Sequence, residues 1–274
     1  MKIEQIIKAA LAEDIGKGDI TSNAVIPAKM SAKAKIIAKQ NGVICGMLIA
    51  EAIFRSLNVK LIPKVKDGRN VSKGTVIAVL SGPARKILAG ERTALNFLQR
   101  LSGISTTTSE FVKQCAGTKA IILDTRKTMP MFREIEKYAV KCGGGTNHRM
   151  GLNDAILIKD NHTAVLNSII SAIQKAKKAG SVEVEVKNTA ELVKALSAGA
   201  DRVLLDNMNI GHLKKSVEIV KKHNLLGKKK VRTEASGGVN IGNVRQIAKT
   251  GVDYISIGAL THSPKALDIS LEIE

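Results

Sequence analysis

Aromatic residues are scarce, because the 274-residue chain has no tryptophan, two tyrosines and four phenylalanines. Proteins that bind single-stranded nucleic acid usually interleave basic residues with stacking aromatic rings. The scarcity therefore argues against a nucleic-acid partner, despite a formal net charge of +19. Most of the excess lysine lies in helix-like stretches, and the lysines at 228–230 are interpreted as a solvated turn. A basic field of this kind would also attract anionic small substrates.

Cysteines and long apolar runs are scarce too. The three cysteines at positions 45, 115 and 142 are an odd number and widely spaced, which predicts neither a disulfide framework nor a zinc site and suits a reducing cytoplasm. No apolar run is long enough to span a bilayer. Residues 1–5 do not combine a basic segment with an apolar one, so we expect no signal peptide. The sequence thus predicts a cytoplasmic protein with no membrane partner.

The first hundred residues combine helical and strand patterns. Residues 3–11 place apolar side chains at helical spacing, and residues 31–46 resemble strands with a turn at Asn41-Gly42. A helix at 47–57 and short strands at 59–86 follow, and their glycine spacing resembles the hammerhead fold of biotinyl and lipoyl carrier domains. A helix over 90–103 places Arg92 and Asn96 on one face. We predict a compact α+β unit over the first hundred residues, in which Arg92 could simply form a surface ion pair.

From residue 104 the pattern changes to alternating strands and helices. Six apolar runs recur at intervals of about 20 to 30 residues, each followed by a helical pattern, as βα units require. The runs lie at 120–123, 155–158, 182–186, 202–205, 231–235 and 254–257, and the helices include 131–141, 164–179, 188–198, 212–223 and 240–250. About 160 residues are too few for eight full βα units. The pattern predicts an α/β barrel with fewer than eight strands, or an incomplete one, over residues 104–265.

Cationic residues follow the first two of these runs. In βα barrels the working residues lie at the C-terminal strand ends. Glycines at 143–145 would let the backbone approach a ligand closely. Convergence of these side chains would form a pocket for a ligand with several negative charges, and the set is Arg126, Lys127, His148, Arg149 and Lys159.

Carboxylates and small residues end the later runs. Glu185 and Asp206 suit either Mg²⁺ or sugar hydroxyls, although Glu185 could instead be a structural partner of Lys159. Glu183 lies two residues before Glu185 in the same strand, so the two side chains point to the same face. Either of them could be buried. Small residues after the last two strands predict a phosphate site, formed by Ser236, Gly237 and Gly238 with Gly258, Ala259 and Leu260.

The motifs together closely resemble the quinolinate phosphoribosyltransferase family. They include Glu-Arg-Thr at 91–93, Asp-Thr-Arg-Lys-Thr at 124–128, Gly-Gly-Gly-Thr-Asn-His-Arg at 143–149, Ile-Lys-Asp-Asn-His at 158–162, Val-Glu-Val-Glu-Val at 182–186, Leu-Asp-Asn-Met at 205–208, Glu-Ala-Ser-Gly-Gly at 234–238 and Ser-Ile-Gly-Ala-Leu-Thr-His at 256–262. The resemblance runs nearly from end to end.

The resemblance implies an enzyme that transfers phosphoribosyl from phosphoribosyl pyrophosphate to quinolinate with loss of CO₂. It implies that Arg92, Arg126, His148, Arg149 and Lys159 bind the quinolinate carboxylates. Lys127 would lie between the two substrates and Thr128 would also contact substrate. Glu185 and Asp206 would meet the ribose and Mg²⁺, and the two small-residue segments would hold the 5-phosphate. The catalytic set implied is Lys127, Lys159, Glu185 and Asp206.

The resemblance also implies an assembly, a homodimer in which Arg92 reaches into the neighbour's pocket. It further implies an N-terminal α/β sandwich domain over residues 1–103, and a tail over residues 266–274 that would return to this domain. Some positions depart from the family pattern. Met129 and Met131-Phe132 replace small residues, as in Thr-Pro-Gly-Leu, and Lys187 replaces a frequent acid. Two alternatives therefore stay open: the related branch found with molybdenum-transport genes, acting on another acidic base, and a basic anion-binding or nucleic-acid-binding protein.

Overall fold

The structure, a computed structural model, describes residues 3–227 and 230–274. Two lysines of the predicted solvated turn, Lys228 and Lys229, lie outside the described residues, as do residues 1–2. The first elements in chain order are α1 (Ile3–Ile15), α2 (Ile20–Val25), β1 (Ser31–Ala38), β2 (Gly42–Val43), α3 (Met47–Ser56), β3 (Lys60–Pro63), β4 (Asn70–Val71), β5 (Val76–Pro83) and α4 (Ala84–Gln114).

The later elements alternate strand and helix. They are β6 (Ile121–Leu123), α5 (Arg133–Cys142), β7 (Ile156–Ile158), α6 (Asp160–Leu166), α7 (Ile169–Lys177), β8 (Val182–Val186), α8 (Thr189–Ser197), β9 (Arg202–Asp206), α9 (Ile210–Leu226), β10 (Arg232–Ser236), α10 (Val244–Ala248), β11 (Tyr254–Ser256), α11 (Ala259–His262) and β12 (Ile269–Ile273). No helix in the described ranges combines the length and apolarity needed to cross a membrane.

Contacts divide the chain into two compact units. The first contains the residues up to Ser109 together with Thr128–Gly144 and Leu260–Glu274, and the second contains Glu110–Lys127 and Gly145–Ala259. The three predicted ranges, 1–103, 104–265 and 266–274, differ in leaving residues 104–109, 128–144 and 260–265 with the barrel. The physical reason is that α5 packs on α4, where the Ser105 hydroxyl donates to the Ala139 carbonyl at 2.7 Å.

The first unit is built on an antiparallel sheet in the order β12-β1-β5-β3. Alternate residues of β1, namely Ala34, Ile36 and Ala38, are buried, which is the period of a sheet with one covered face. The last strand, β12, pairs with β1 over Ala34–Ala38. The apolar pattern of the first hundred residues thus forms one side of a packed core.

The second unit is built on a six-stranded parallel sheet in the order β6-β11-β10-β9-β8-β7. Most of its strands are rich in isoleucine, leucine and valine because parallel strands are buried on both faces. Six strands are fewer than the eight of a full α/β barrel, and β6 and β7 form the two edges of the described sheet. The predicted fold class, an incomplete α/β barrel with an N-terminal sheet domain, is confirmed.

Side-chain caps fix three of the six helix starts between the parallel strands. Ser168, Asn188 and Asn209 accept hydrogen bonds from the backbone N–H three residues later, as N-cap residues do. The single helix predicted at 164–179 is wrong, because two helices, α6 and α7, occupy this region. Asn167 adopts a left-handed conformation, with φ of 49°, and Ser168 then caps a new helix.

Two other helix boundaries differ from the predictions. The helix predicted from residue 240 begins only at Val244, because Asn240 and Asn243 turn their side-chain amides onto the Gly238 carbonyl. Helix α2 was not predicted. Its signal was Asp19, whose carboxylate caps the helix by accepting from the Ser22 N–H at 2.9 Å.

Met131 has a strained backbone. Its φ is 69°, in the left-handed region that costs a non-glycine residue about 1–2 kcal/mol. The side chain is exposed, so little packing offsets this cost. Because the family often has glycine at this position, the departure noted in the sequence has a physical consequence.

We expect Met131→Gly to stabilise the protein by about 0.5–1 kcal/mol, since relief of strain exceeds the added chain entropy of glycine. Thermal unfolding followed by circular dichroism would show a small rise in Tm. The matched control is Met129→Gly, two residues away without a left-handed φ, which should lower Tm. A lower Tm for Met131→Gly would contradict the assignment of strain.

Candidate active site

Each parallel strand is followed or ended by a residue of chemical interest. The positions of these residues match the layer of C-terminal strand ends that carries the active site in α/β barrels. Asp124 follows β6, Lys159 follows β7, Glu185 and Asp206 end β8 and β9, Ser236 ends β10, and Gly258 follows β11.

Two guanidinium groups at this layer, those of Arg126 and Arg149, interact electrostatically. Burial, and then the positive charge of Arg126, lower the pKa of Arg149 from its ordinary value. The Arg149 side chain is almost fully buried and donates to the Ala155 carbonyl at 2.9 Å. Two cations held together against their mutual repulsion are a ready site for an anion with more than one negative charge.

A buried carboxylate positions the segment that carries Arg149. Asp124 is fully buried and accepts a hydrogen bond from the His148 N–H at 2.8 Å. The Thr146 N–H also donates to the Ile122 carbonyl at 2.9 Å. These bonds attach the chain after the glycine segment to the end of β6, so that Arg126 and Arg149 approach each other.

The His148 ring lies among buried carboxylates. Its Nδ1 accepts from the Arg149 N–H at 2.7 Å, so Nε2 carries the proton. Nε2 lies 3.2 Å from a Glu183 oxygen and 3.7 Å from a Glu234 oxygen. Because Glu183 is on β8 and Glu234 on β10, with β9 between them, one imidazole can reach both only if the sheet curves. The ring is therefore oriented by the interior of the barrel.

Arg202 completes this interior network and was not predicted from the sequence. Its guanidinium contacts the Glu234 carboxylate and lies 3.5 Å from Glu183. It also stacks over the ring of Tyr254, 3.9 Å from the centroid. The available signal was its position in β9. Arg202 is a basic residue at the start of this strand, which is otherwise apolar as far as its final acid, Asp206. Its partners could not be identified without the strand order.

The two acids of the network have opposite pKa shifts. Burial and then the Glu183 charge raise the pKa of Glu234 to about 7, although Arg202 opposes this. Burial also acts on Glu183, but the hydrogen bond from His148 and the charge of Arg202 together lower the pKa of that carboxyl. Glu183 is thus the charged member of the pair at neutral pH.

The stability of the protein should therefore depend on pH through the titration of Glu234. Its pKa in the folded state exceeds the ordinary value of 4.5, so the folded state binds more protons than the unfolded state between these values. Its contribution to the free energy of unfolding falls as pH rises through about 4.5 to 7. Urea unfolding at several pH values should show this decline, and Glu234→Gln should flatten it. If the stability of the variant fell with pH as steeply as that of the unaltered protein, the raised pKa of Glu234 would be contradicted.

Lys159 and Glu185 face each other across adjacent strands at 4.0 Å. The lysine side chain is half exposed, so this pair is loose and leaves the ammonium group accessible to a ligand. Burial, and then the charge of Asp206, raise the pKa of Glu185. The two carboxylates are therefore close enough to repel each other, and their oxygens suit a shared Mg²⁺.

The strands β9 and β10 are each followed by a residue with a left-handed backbone. Asn207 has a left-handed φ of 51°, and its side chain donates to Asp206 at 3.0 Å. Gly237 has φ of 90°, and a Cβ there would lie 2.2 Å from Asn207. Only glycine fits at this position. The loop from Ser236 to Gly238 thus exposes its backbone at the two glycines, as a phosphate-binding loop requires.

A cavity of about 550 Å³ opens beside β8. Glu185 lines it together with Lys187, whose ammonium group lies 3.0 Å from Asp160. That pairing lowers the pKa of Asp160 and raises the pKa of Lys187. Lys187, which departs from the family pattern, is thus neutralised by a neighbour.

The other predicted site residues are distributed over both units. Lys127 is exposed and its N–H donates to the Thr125 hydroxyl at 3.0 Å. Ala259 begins α11. The first unit holds Thr128, which accepts from Arg133 at 3.0 Å, and Leu260, which is buried. It also holds Arg92, which is exposed and forms no ion pair within the described part of the chain.

The fold and the strand-end residues define an α/β-barrel enzyme that binds anionic substrates. Two family profiles, described as the N-terminal and C-terminal domains of quinolinate phosphoribosyl transferase, match residues 19–102 and 104–272. The chain belongs to the quinolinate phosphoribosyltransferase family, which confirms the resemblance found in the sequence.

Relatives in sequence and structure agree. The chain is 43% identical over 279 residues to a "probable nicotinate-nucleotide pyrophosphorylase (carboxylating)" of Bacillus subtilis (strain 168), covering 100% of this chain and 94% of the relative. It is 42% identical to the nicotinate-nucleotide pyrophosphorylase structure from Ehrlichia chaffeensis, with a TM-score of 0.94 and coverage of 100% and 99%. For the structure from Francisella tularensis the identity is 41%, the TM-score 0.91 and the coverage 99% and 96%.

Proposed function

We propose that the protein transfers phosphoribosyl from phosphoribosyl pyrophosphate to quinolinate. The products are nicotinate mononucleotide, CO₂ and pyrophosphate, which places the reaction in NAD biosynthesis. The observation that carries this proposal is the placement of Arg126, Arg149 and Lys159 where the parallel strands end: Arg149 is buried and donates to the Ala155 carbonyl, and the ammonium group of Lys159 is half exposed. Quinolinate has two adjacent carboxylates, and arginine recognises carboxylates with two parallel hydrogen bonds.

The strand-end residues then have complementary roles. Arg126, Arg149 and Lys159 bind the two carboxylates, and His148, whose Nδ1 accepts from the Arg149 N–H, supports the segment that carries Arg149. Lys127 and Thr128 lie on the segment after β6 and contact substrate. Orientation of the pyridine nitrogen toward C1 of the ribose removes much of the entropic barrier to reaction.

The bond changes follow from the charges. The nitrogen forms a bond to C1 while the bond from C1 to pyrophosphate breaks, and positive charge develops at C1. A carboxylate at Glu185 stabilises this charge more than it stabilises the ground state. The ring nitrogen is then positive, so it stabilises the electron pair left at ring C2 when the 2-carboxylate departs as CO₂. A proton finally adds to C2.

The phosphate groups of the donor require cations and backbone donors. Asp206 and Glu185 would hold Mg²⁺ together with the substrate, because Mg²⁺ is usually bound by one or two carboxylates and phosphate oxygens. Mg²⁺ would neutralise charge on the departing pyrophosphate. The backbone of Ser236–Gly238, where Gly237 leaves no room for a Cβ, and of 258–260 would hold the 5-phosphate.

We further propose a homodimer in the reducing cytoplasm, a compartment that suits three free cysteines. Arg92 is exposed and has no ion-pair partner in the described ranges, so it is available to a neighbouring subunit's substrate. Mixed dimers test this arrangement. Arg92→Ala and Lys159→Ala dimers should each be inactive, and unfolding and refolding them together should restore activity, because one pocket of each mixed dimer is intact. No recovery in dimers shown to be mixed would exclude a shared Arg92.

The function itself is tested by direct assay. Protein, phosphoribosyl pyrophosphate and Mg²⁺ are incubated with quinolinate or with nicotinate, and products are identified by mass spectrometry. We expect nicotinate mononucleotide and CO₂ from quinolinate and no product from nicotinate. Turnover of a different acidic heterocycle alone would favour the molybdenum-transport-associated branch. Absence of any product from folded protein would overturn the proposal.

A further inference from the structure

Two of the three cysteines meet in the first unit, although their spacing gave no sign of it. The sulfurs of Cys45 and Cys142 and a carboxylate oxygen of Asp67 all lie within 4.8 Å of one another. The three ligand atoms come from separate segments: the loop before α3, the turn before β4 and the last residue of α5. These residues are called the thiol cluster below.

Backbone hydrogen bonds hold the first two segments together. The Gly68 N–H donates to the Ile44 carbonyl at 2.8 Å, and the Ile44 N–H donates to the Arg69 carbonyl at 3.0 Å. The Ser102 hydroxyl accepts from the Cys45 N–H at 2.9 Å. Cys45 and Asp67 are therefore fixed relative to each other before any ligand binds, which lowers the ordering cost of binding.

Close packing fixes the third segment. A Cβ on Gly143 would lie 2.3 Å from the Ser105 carbonyl oxygen, so only glycine lets the end of α5 approach α4 this closely. A Cβ on Gly68 would lie 3.4 Å from the Cys142 carbonyl oxygen. The approach of these backbones brings the Cys142 thiol to Cys45 and Asp67.

The charge of Asp67 is balanced only by dipoles. One of its oxygens accepts from the Met47 N–H at 3.0 Å, and the other accepts from the Tyr138 hydroxyl at 3.1 Å. No cationic side chain in the described part of the chain forms an ion pair with this carboxylate. Each oxygen keeps a second lone pair, so Asp67 can still bind a positive ion.

We propose that the thiol cluster binds a divalent cation of the zinc class. Thiolates select such soft cations, whereas Mg²⁺ and Ca²⁺ prefer sets of oxygen ligands. Zinc–sulfur bonds of about 2.3 Å place two tetrahedral sulfurs about 3.8 Å apart, a separation compatible with the cluster. Water or the Tyr138 hydroxyl would supply the fourth ligand.

The cluster has an access route. Cys45 is fully buried, Tyr138 is 42% exposed, and Cys142 and Asp67 are partly exposed. A cation can therefore enter past Tyr138, and both thiols would release their protons on binding. The site is independent of the transferase activity proposed above, so its test does not use turnover.

Cobalt provides a direct readout. Reduced, chelator-treated full-length protein is titrated with Co²⁺, and the thiolate-to-cobalt charge-transfer absorption is recorded. We expect one equivalent to produce the band, Zn²⁺ to abolish it, and binding to release protons. Cys142→Ser should lose the band and Asp67→Asn should weaken it. The matched control is Cys115→Ala, which removes the cysteine outside the cluster and should leave the band unchanged.

Circular dichroism establishes that each variant is folded, and the half-buried positions 67 and 142 are chosen for that reason. Absence of a band in folded, reduced protein would overturn the proposal. A band that persists in Cys142→Ser would overturn it as well, since the cation would then be bound elsewhere. Native mass spectrometry after exposure to Zn²⁺ alone should add one zinc per chain to the unaltered protein and to Cys115→Ala, but not to Cys142→Ser.

Discussion

Lys159→Met should lower kcat/KM for quinolinate by ~10²–10³-fold, the range measured for loss of one charge-stabilising donor in an active site. The ammonium group follows β7 and is only loosely paired, at 4.0 Å from Glu185, so a ligand can use its charge. Its removal would leave a substrate carboxylate with one cation fewer and Glu185 with no nearby partner on β7. Steady-state kinetics with varied quinolinate would measure the loss.

Lys159 is the best position for this test because folding is not at risk. Its side chain is 50% exposed, and substitutions at such positions usually change stability by less than about 0.5 kcal/mol. The almost fully buried Arg149, in contrast, also supports the Ala155 carbonyl, so its loss would mix folding with function. An unchanged Tm for Lys159→Met would show that its loss of activity does not come from a loss of folding.

The control is Lys175→Met, which removes an exposed lysine of equal charge from α7. Because Lys175 lies on the solvated helical face, its variant should keep kcat/KM within a factor of about two, given that distant charges are screened. If Lys159→Met were as active as Lys175→Met, the strand-end cation would have no role in binding or catalysis.

The strand ends could be predicted because both signals are local. A short apolar run identifies each parallel strand, and the charged or small residue that follows it identifies the end that faces a ligand. Lys159, Glu185 and Asp206 were all located in this way. The same reasoning predicted fewer than eight strands, since too few residues were left for eight.

The interior network could not be predicted because its members meet only through strand order. Parity placed Glu183 on the same side as Glu185, but its contacts with His148 and Arg202 arise from the adjacency of β8, β9 and β10. His148 was predicted to be one of the residues around the substrate. Its Nε2 lies 3.2 Å from a Glu183 oxygen and 3.7 Å from a Glu234 oxygen, a placement that depends on curvature of the sheet.

Local conformations were missed for a different reason. The break between α6 and α7 depends on the left-handed backbone of Asn167, and an asparagine within a helical pattern does not by itself predict a break. The pairing of Cys45 with Cys142 depends on contacts between segments almost a hundred residues apart in the sequence. Periodicity describes one element at a time, so contacts of this kind lie beyond it.

The largest expected effect on stability comes from Arg100 and Glu136 in the first unit. The Glu136 side chain has no exposed surface, and one of its oxygens accepts from Arg100 Nε at 2.9 Å and from Nη2 at 2.5 Å. Its other oxygen accepts from the Met129 N–H at 3.2 Å. The arginine also donates to the Thr261 carbonyl at 3.2 Å, so one ion pair links three parts of the chain.

Arg100→Met should destabilise the protein by about 3–5 kcal/mol, because it leaves an uncompensated buried carboxylate. Urea unfolding would measure the loss. Burial already raises the pKa of Glu136 against the opposing effect of Arg100. Without the arginine the folded state should favour the protonated acid further, so the deficit should be largest at neutral pH and should shrink as pH falls toward the ordinary value of 4.5.

Two further variants separate the buried charge from the lost contacts. Arg100→Met combined with Glu136→Gln removes the buried charge and should recover part of the stability. The exposed ion pair of Lys39 and Glu272 shows what the loss of a solvent-exposed pair costs. Lys39→Met breaks that pair and should cost less than about 1 kcal/mol, as surface ion pairs do. If Arg100→Met cost no more than Lys39→Met, or if its deficit did not change with pH, the buried charge could not be what Arg100 compensates.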